Sequence, residues 1–289
     1  MAARPNLIAI VGPTASGKTS LALDVAERYN GEIICADSRT IYKGMDIGTA
    51  KPSLEEQTRV RHWGLDLVEP NEVFSVADFQ QYTKDAIIDI QSRGKLPLLV
   101  GGTGLYIDAV LYDFTFGPPP DSDERARLDK MTVDELVSYC NDSNVMLPQN
   151  LKNKRHLIRA IERKGISTIS KQTLPNEYKV VGLATNMFML RTRIADRTEQ
   201  LFDSGVEKEA TLLGKKYGWN SQAMTGNIYR SIHRYLENEI SYTEVKDIST
   251  TSDYQLAKRQ MTWLRRNPDI MWTRLTEANH YIHSLLASE

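Results

Sequence analysis

Two short stretches of this sequence carry residue types that can do chemistry. GPTASGKT (12–19) has the spacing G-x-x-x-x-G-K-[ST], in which backbone amides and the positive end of a helix hold two linked phosphates. Gly12, Pro13, Thr14, Ala15, Ser16 and Gly17 would form the cradle, Lys18 would add a mobile charge, and the Thr19 hydroxyl would ligate Mg²⁺. ICADSRTIYKGMDIGTAKP (34–52) ends an apolar run on Asp37 and then turns polar and glycine-punctuated, with no hydrophobic period. A carboxylate at that point is either a second metal handle, as in phosphoryl transfer, or a base.

Positioning such groups calls for alternating strands and helices. LIAIVG (7–12), EIICAD (32–37), HWGLDLV (62–68), LPLLVGG (96–102) and VVGLA (180–184) read as strands, the apolar runs being those of a parallel sheet buried on both faces. Residues 20–29 and 75–94 carry helical spacing, with Ser75 as N-cap and Gly94 as stop. The fold class is therefore α/β, a P-loop NTPase-like parallel sheet with helices on both faces. From PPPDSDERARLDK, which begins at Pro118, the pattern changes to helical segments near 121–130, 132–141 and 153–164. The expected division is a catalytic core of 1–116 and 177–289 with a mostly helical insertion at 117–176. Helices at 190–217 and 242–266, a short strand in DIMWTR and a last helix complete the core.

The bulk numbers narrow the class. The 289 residues are 41% hydrophobic and 25% charged, and no run of 18 apolar residues exists, so a cytoplasmic enzyme without membrane spans is expected. Cys35 and Cys140 lack metal-site spacing and read as buried free thiols, and the His280/His283 pair reads as a solvated helix face. Charge is lopsided: residues 1–150 hold 14 Lys+Arg against 22 Asp+Glu, and the remainder hold 22 against 15. A basic C-terminal half points to a polyanion.

The cradle alone predicts a nucleotide-binding kinase or NTPase. Yet the apolar strand LPLLVGG ends in GGTGLY with no acid, and no NKxD-like base-reading motif occurs. The acid is Asp37, which faces the cradle across the sheet if its strand neighbours the first.

GPTASGKT, ADSRTIYKGMDIGTAKP, HWGLDLVEPNEVFSVADF, LPLLVGGTGLY and QLAKRQMTWLRR (255–266), in that order, resemble the tRNA dimethylallyltransferases, also called tRNA isopentenyltransferases. The resemblance spans nearly the whole chain. It implies transfer of a dimethylallyl group from dimethylallyl diphosphate to the exocyclic amine of the adenosine 3′ of a tRNA anticodon, with Mg²⁺ as cofactor. The P-loop then grips an isoprenoid diphosphate, and Asp37 is the base that takes the proton of a poor amine nucleophile. Lys18, Thr19 and Thr103 complete the implied catalytic set. Asp37, Ser38, Arg39, Thr40, Thr103 and Arg125 match positions that meet the tRNA. LKNKRHLIRAIERK (151–164), six cations against Glu162, matches a tRNA-contacting segment through Arg155, His156 and Arg159. Gln255, Lys258 and Arg259 form a second such cluster. The partners implied are a tRNA anticodon stem-loop and dimethylallyl diphosphate, and a monomer is expected.

Some positions depart from the resemblance. AMTGNIYRSIHRYLENEIS (223–241) carries Thr225 where such proteins have Gln or Arg, and Ile228 where they have Gly; Tyr254 stands where Arg is common. One anion contact is thereby lost, with Arg193 and Arg230 as substitutes. Competing readings are prenylation of free adenine nucleotide, small-molecule phosphorylation, and RNA binding without catalysis. Asp46 and Lys51 could serve only to shape their loop.

Overall fold

The computed structural model describes residues 5–117, 121–164 and 172–287. The prolines at 118–120, read as the opening of the insertion, lie outside these residues. The chain divides into two compact units, one formed by 1–111 with 174–289 and the other by 112–173; the sequence reading had the second at 117–176.

The first unit is a six-stranded parallel sheet of order β3-β2-β4-β1-β5-β6. The strands are β1 (Leu7–Val11), β2 (Gly31–Ala36), β3 (His62–Trp63), β4 (Leu96–Gly101), β5 (Tyr178–Leu183) and β6 (Ile270–Thr273). Alternate residues of four strands (Ile8 and Ile10, Ile33 and Cys35, Leu98 and Val100, Val181 and Leu183) join one core with α1 (Lys18–Arg28) and α12 (Leu275–Leu286). On the opposite face α3 (Val76–Ser92) covers β2 and β4, and α4 (Gly104–Leu111) also packs on β4. Burial on both faces explains why these strands are unbroken apolar runs.

Three expectations change in detail. Strand β3 stops at Trp63 rather than running to 68, because Gly64 (φ 81°) and Asp66 (φ 53°) turn the chain; only an isolated bridge, Tyr42 to Val68, resumes the pairing. The helix expected at 190–217 is two, α8 (Met187–Asp203) and α9 (Val206–Tyr217), broken at the left-handed Gly205. Strands β1 and β2 are not neighbours, since β4 lies between them. Elsewhere α2 (Leu54–Arg59), α10 (Asn227–Leu236) and α11 (Tyr242–Leu264) complete this unit.

The second unit is helical: α5 (Ser122–Leu128), α6 (Val133–Asp142) and α7 (Lys154–Glu162) enclose a core of Leu128, Leu136, Cys140, Leu157, Ile158 and Ile161. Both cysteines are buried free thiols, and burial pushes Cys35 up to about 12. His280 is exposed, but His283 turns inward to Tyr29 (2.8 Å) and Asp24 (3.4 Å). Among the described residues, no helix is long and apolar enough to cross a membrane.

The loop after β2 is fixed by charge. Lys51, whose side chain is only 2% exposed, donates to the Tyr42 carbonyl (3.0 Å), Asp46 (2.6 Å) and Asp66 (2.7 Å). The Asp46 and Lys51 of GMDIGTAKP thus shape their loop. Lys51→Met removes three charge-assisted bonds and is expected to destabilise the fold by about 2 kcal/mol. Denaturant titration checks this; an unchanged midpoint would deny Lys51 its role.

Candidate active site

The cradle hangs between β1 and α1. Gly17 caps α1 with φ 91°, in the left-handed region that favours glycine. The Lys18 ammonium folds back to the Pro13 carbonyl at 2.6 Å. Burial lowers its pKa to about 8; the Asp37 carboxylate opposes that shift and the Arg197 guanidinium adds to it. Although β4 separates β2 from β1, the Asp37 charge therefore reaches the cradle lysine.

Asp37 ends β2 in a tight turn. Its Oδ1 accepts the Arg39 amide at 2.8 Å, and its carbonyl accepts the buried Thr40 hydroxyl at 3.4 Å. Among the described residues the other carboxylate oxygen carries no hydrogen bond. Thr103 follows β4; its amide donates to the Ala36 carbonyl (3.3 Å), and its Oγ1 accepts the Ser38 amide at 3.2 Å. The Thr103 hydroxyl proton is therefore left to donate elsewhere, and the 37–40 turn and 103 are held as one piece.

Two cavities meet here. The larger, of about 810 Å³, is lined by the cradle from Thr14 to Thr19 and by Lys51, with Asp37 on its wall. The smaller, of about 240 Å³, is lined by Ser38, Arg39, Thr103, Ile228, Tyr229 and Arg259, among others. Thr14, Asp37, Thr49, Arg197 and Gln260 line both. Asp37 and the cradle thus stand where a phosphorylated ligand in one cavity would meet a second ligand in the other.

Arg197 and Gln260 were not legible as site residues. Arg197 donates to the Thr14 hydroxyl at 2.6 Å, and Gln260 Oε1 accepts the Thr14 amide at 2.9 Å. A Cβ on Gly102 would lie 2.5 Å from Gln260 Nε2 and 2.9 Å from the Gly12 carbonyl, so GGT needs glycine where α11 meets the cradle. The available signal for Arg197 was its spacing of four from Arg193, which also lines the larger cavity; Arg230 does not. Glu209 was likewise missed. Its carboxylate accepts the amides of Asp46 (2.8 Å), Ile47 (2.7 Å) and Gly48 (2.9 Å) and the Tyr229 hydroxyl (2.7 Å).

Thr19 is exposed on the larger cavity and its hydroxyl makes no hydrogen bond among the described residues, so the donor set fits a Mg²⁺ ion beside a bound diphosphate. The buried Ser16 hydroxyl, also without a partner, faces the same need for a ligand.

The basic residues sort into two environments. In α11, Gln255, Lys258 and Arg259 are exposed, with Lys258 Nζ 4.7 Å from the centre of the Tyr254 ring. Trp263 donates to Asp108 at 2.7 Å, and Leu264 is core. In the helical unit, Arg125 and Arg159 both bind Glu162, the latter at 2.8 Å, while Arg155 and His156 are exposed. Burial raises the Glu162 carboxyl, and its two arginines outweigh that, holding it below the ordinary value. Within the charge run, Arg159 is thus engaged with Glu162, and Lys154 donates to the Asp129 carbonyl at 2.7 Å.

A free Lys18 that titrates near 8 makes anion binding pH-dependent. Affinity for inorganic diphosphate is expected to fall about tenfold between pH 7 and pH 9 as the ammonium form is lost. Calorimetry on wild type and Lys18→Ala checks this; an equal pH dependence in both would assign it elsewhere.

Comparison with known proteins identifies the family to which the chain is similar. The IPP transferase family model matches residues 40–267. A tRNA dimethylallyltransferase of Bacillus licheniformis is 37% identical over 94% of this chain and 92% of its own, and one of Anoxybacillus flavithermus is 36% identical over 94% and 91%. The solved tRNA isopentenylpyrophosphate transferase of Bacillus halodurans superposes with a TM-score of 0.75 at 34% identity, covering 97% of this chain and 95% of that one. A eukaryotic dimethylallyltransferase solved acting on tRNA, 22% identical with a TM-score of 0.78 over 97% of this chain and 77% of its own, shares the fold. The chain belongs to the IPP transferase family, among the tRNA dimethylallyltransferases.

Proposed function

We propose that this enzyme transfers the dimethylallyl group of dimethylallyl diphosphate to the N6 amine of the adenosine 3′ of a tRNA anticodon, releasing diphosphate. The observation that carries the reading is the position of Asp37 on the wall shared by the two cavities, within electrostatic reach of Lys18. A kinase would need its acid to serve the metal. Here one carboxylate oxygen is tied to the Arg39 amide, and the residue lines both cavities.

The diphosphate lies on the amides of residues 12–19 with Lys18 and Arg197 around it. The adenine enters the smaller cavity out of the anticodon loop stack, as enzymes acting on a base require. The N6 nitrogen attacks the allylic C1; the C1–O bond breaks, its electron pair leaves on the diphosphate, and the N6 proton passes to Asp37. Negative charge grows on the leaving group during this step, so Lys18, Arg197 and the loop amides bind the transition state more tightly than the substrate. Bound Mg²⁺, held through Thr19, would neutralise further diphosphate charge. Thr103 keeps its hydroxyl proton for the substrate while its oxygen holds Ser38.

The tRNA backbone needs cations outside the pocket. Lys258 on α11 and Arg155 with His156 on α7 are exposed and suited to phosphates, while the exposed Arg259 stands at the smaller cavity. Arg193 and Arg197 supply the anion contacts that Thr225 does not.

Asp37→Ala is expected to bind an anticodon stem-loop within a few-fold of wild type and to lose on the order of 10² to 10⁴ in transfer rate. The assay follows labelled dimethylallyl with Mg²⁺ and AMP as competitor. Unchanged turnover would remove Asp37 as base, and equal use of AMP would favour a free-nucleotide substrate. For Arg155→Ala, the slope of log K against log salt for stem-loop binding should become shallower by roughly 0.7 to 0.9. A slope equal to wild type would return α7 to an ordinary solvated face.

A further inference from the structure

Arg39 sits one turn beyond Asp37, where an arginine facing a nucleic-acid pocket would be read as a phosphate or base contact. Its guanidinium is otherwise engaged. Nη1 donates to the carbonyls of Gln222 (2.9 Å) and Ala223 (3.2 Å), and Nη2 donates to Thr225 Oγ1 (3.3 Å). Thr225 Oγ1 in turn donates to the Gln222 carbonyl at 2.6 Å. The fork of one half-buried arginine thus collects the polar groups of the 3₁₀ turn Ala223–Thr225.

That turn leads directly into one wall of the smaller cavity. Gly226, Asn227, Ile228 and Tyr229 follow it and line that cavity together with Asp37, Ser38 and Arg39. Arg39 therefore ties the two sides together, and its own amide is bound by Asp37 Oδ1 at 2.8 Å. Residue 225 is where this sequence departs from the resemblance in having Thr in place of a long polar side chain. A long side chain can span a pocket rim by itself; a threonine needs a partner that reaches it, and Arg39 is that partner.

We infer that Arg39 is a positioning residue, a latch that holds the 222–225 turn and through it the 226–229 wall of the acceptor-base cavity, and so sets recognition of the adenine, without contacting the RNA backbone. The inference rests on the acceptor role proposed for that cavity. A latch of this kind acts on the base alone. A backbone contact would act on every RNA equally and add to the salt dependence.

The test measures binding of two stem-loops by fluorescence anisotropy, one with the target adenosine and one abasic at that nucleotide, for wild type, Arg39→Ala, Arg39→Lys and Thr225→Val. Wild type should prefer the adenosine RNA. Arg39→Ala should lose that preference by on the order of tenfold through loss of charge-assisted hydrogen bonds, with abasic binding and salt slope unchanged. Arg39→Lys, which cannot fork, should fall between, and Thr225→Val should shift in the same direction by a smaller factor. Thr225→Val keeps the test open if Arg39→Ala misfolds. Equal weakening on both RNAs with a shallower salt slope would make Arg39 a backbone contact and overturn the latch; a preserved preference in both variants would also overturn it. A wild type without preference would overturn the acceptor role of the cavity, and the latch with it.

Discussion

The site is organised around keeping a lysine charged where burial disfavours charge. Lys18 is enclosed by the cradle, and enclosure drags its pKa down to about 8, still high enough for the ammonium to persist at neutral pH. Asp37 is the counterweight, since its carboxylate favours the charged form while Arg197 opposes it. One short electrostatic chain therefore links the phosphate cradle to the acid of the next strand. In the proposed reaction the same chain connects leaving group and base, so the two ends of the bond exchange are held by one set of charges. The arrival of a diphosphate would relieve the repulsion between the half-buried Lys18 and Arg197.

The parts of this architecture that were legible in the sequence are those with a local cause. Strands β1, β2, β4 and β5 are buried on both faces and so appear as unbroken apolar runs, and the cradle is a contiguous motif whose geometry follows from its own amides. Strand β3 was overextended because HWGLDLV is apolar enough for a strand, but Gly64 and Asp66 adopt positive φ and Asp66 turns toward Lys51. The break between α8 and α9 is a single left-handed glycine in an otherwise helical pattern. Neighbourhood in the sheet has no local signature, and so the insertion of β4 between β1 and β2 was not legible.

The site residues that escaped notice share a different cause. Arg197, Glu209 and Gln260 lie far along the chain from the loops they hold, on helices where each looks like one more polar residue of an exposed face. Their roles come from partners more than 140 residues away: Thr14 for Arg197 and Gln260, and the amides of 46–48 for Glu209. The basic run of α7 shows the opposite error. Of its six cations, Arg159 joins Arg125 from outside the run on one Glu162 whose side chain is 3% exposed, and Lys154 is tied to the Asp129 carbonyl, so counting charges along a helix overstates what is available to a polyanion.

The most distinctive motif, GMDIGTAKP, turns out to be framework more than chemistry. Its Lys51 is consumed by Asp46, Asp66 and a carbonyl, its amides at 46–48 by Glu209, and its Gly48 by the Tyr229 ring, which a Cβ would meet at 2.6 Å. Within this region Thr49 lines both cavities, and its carbonyl lies 3.5 Å from Arg197, while Lys51 lines the larger one. The loop's sequence is demanding because three separate elements must close on it at once: α9 through Glu209, α10 through Tyr229 and α8 through Arg197. A loop so constrained transmits the position of the C-terminal helices to the wall that Asp37 shares. The departures at Thr225, in the turn before α10, and at Ile228, in α10, are therefore absorbed at the cavity rim, by Arg39 and by burial of Ile228 in the core beside Tyr229.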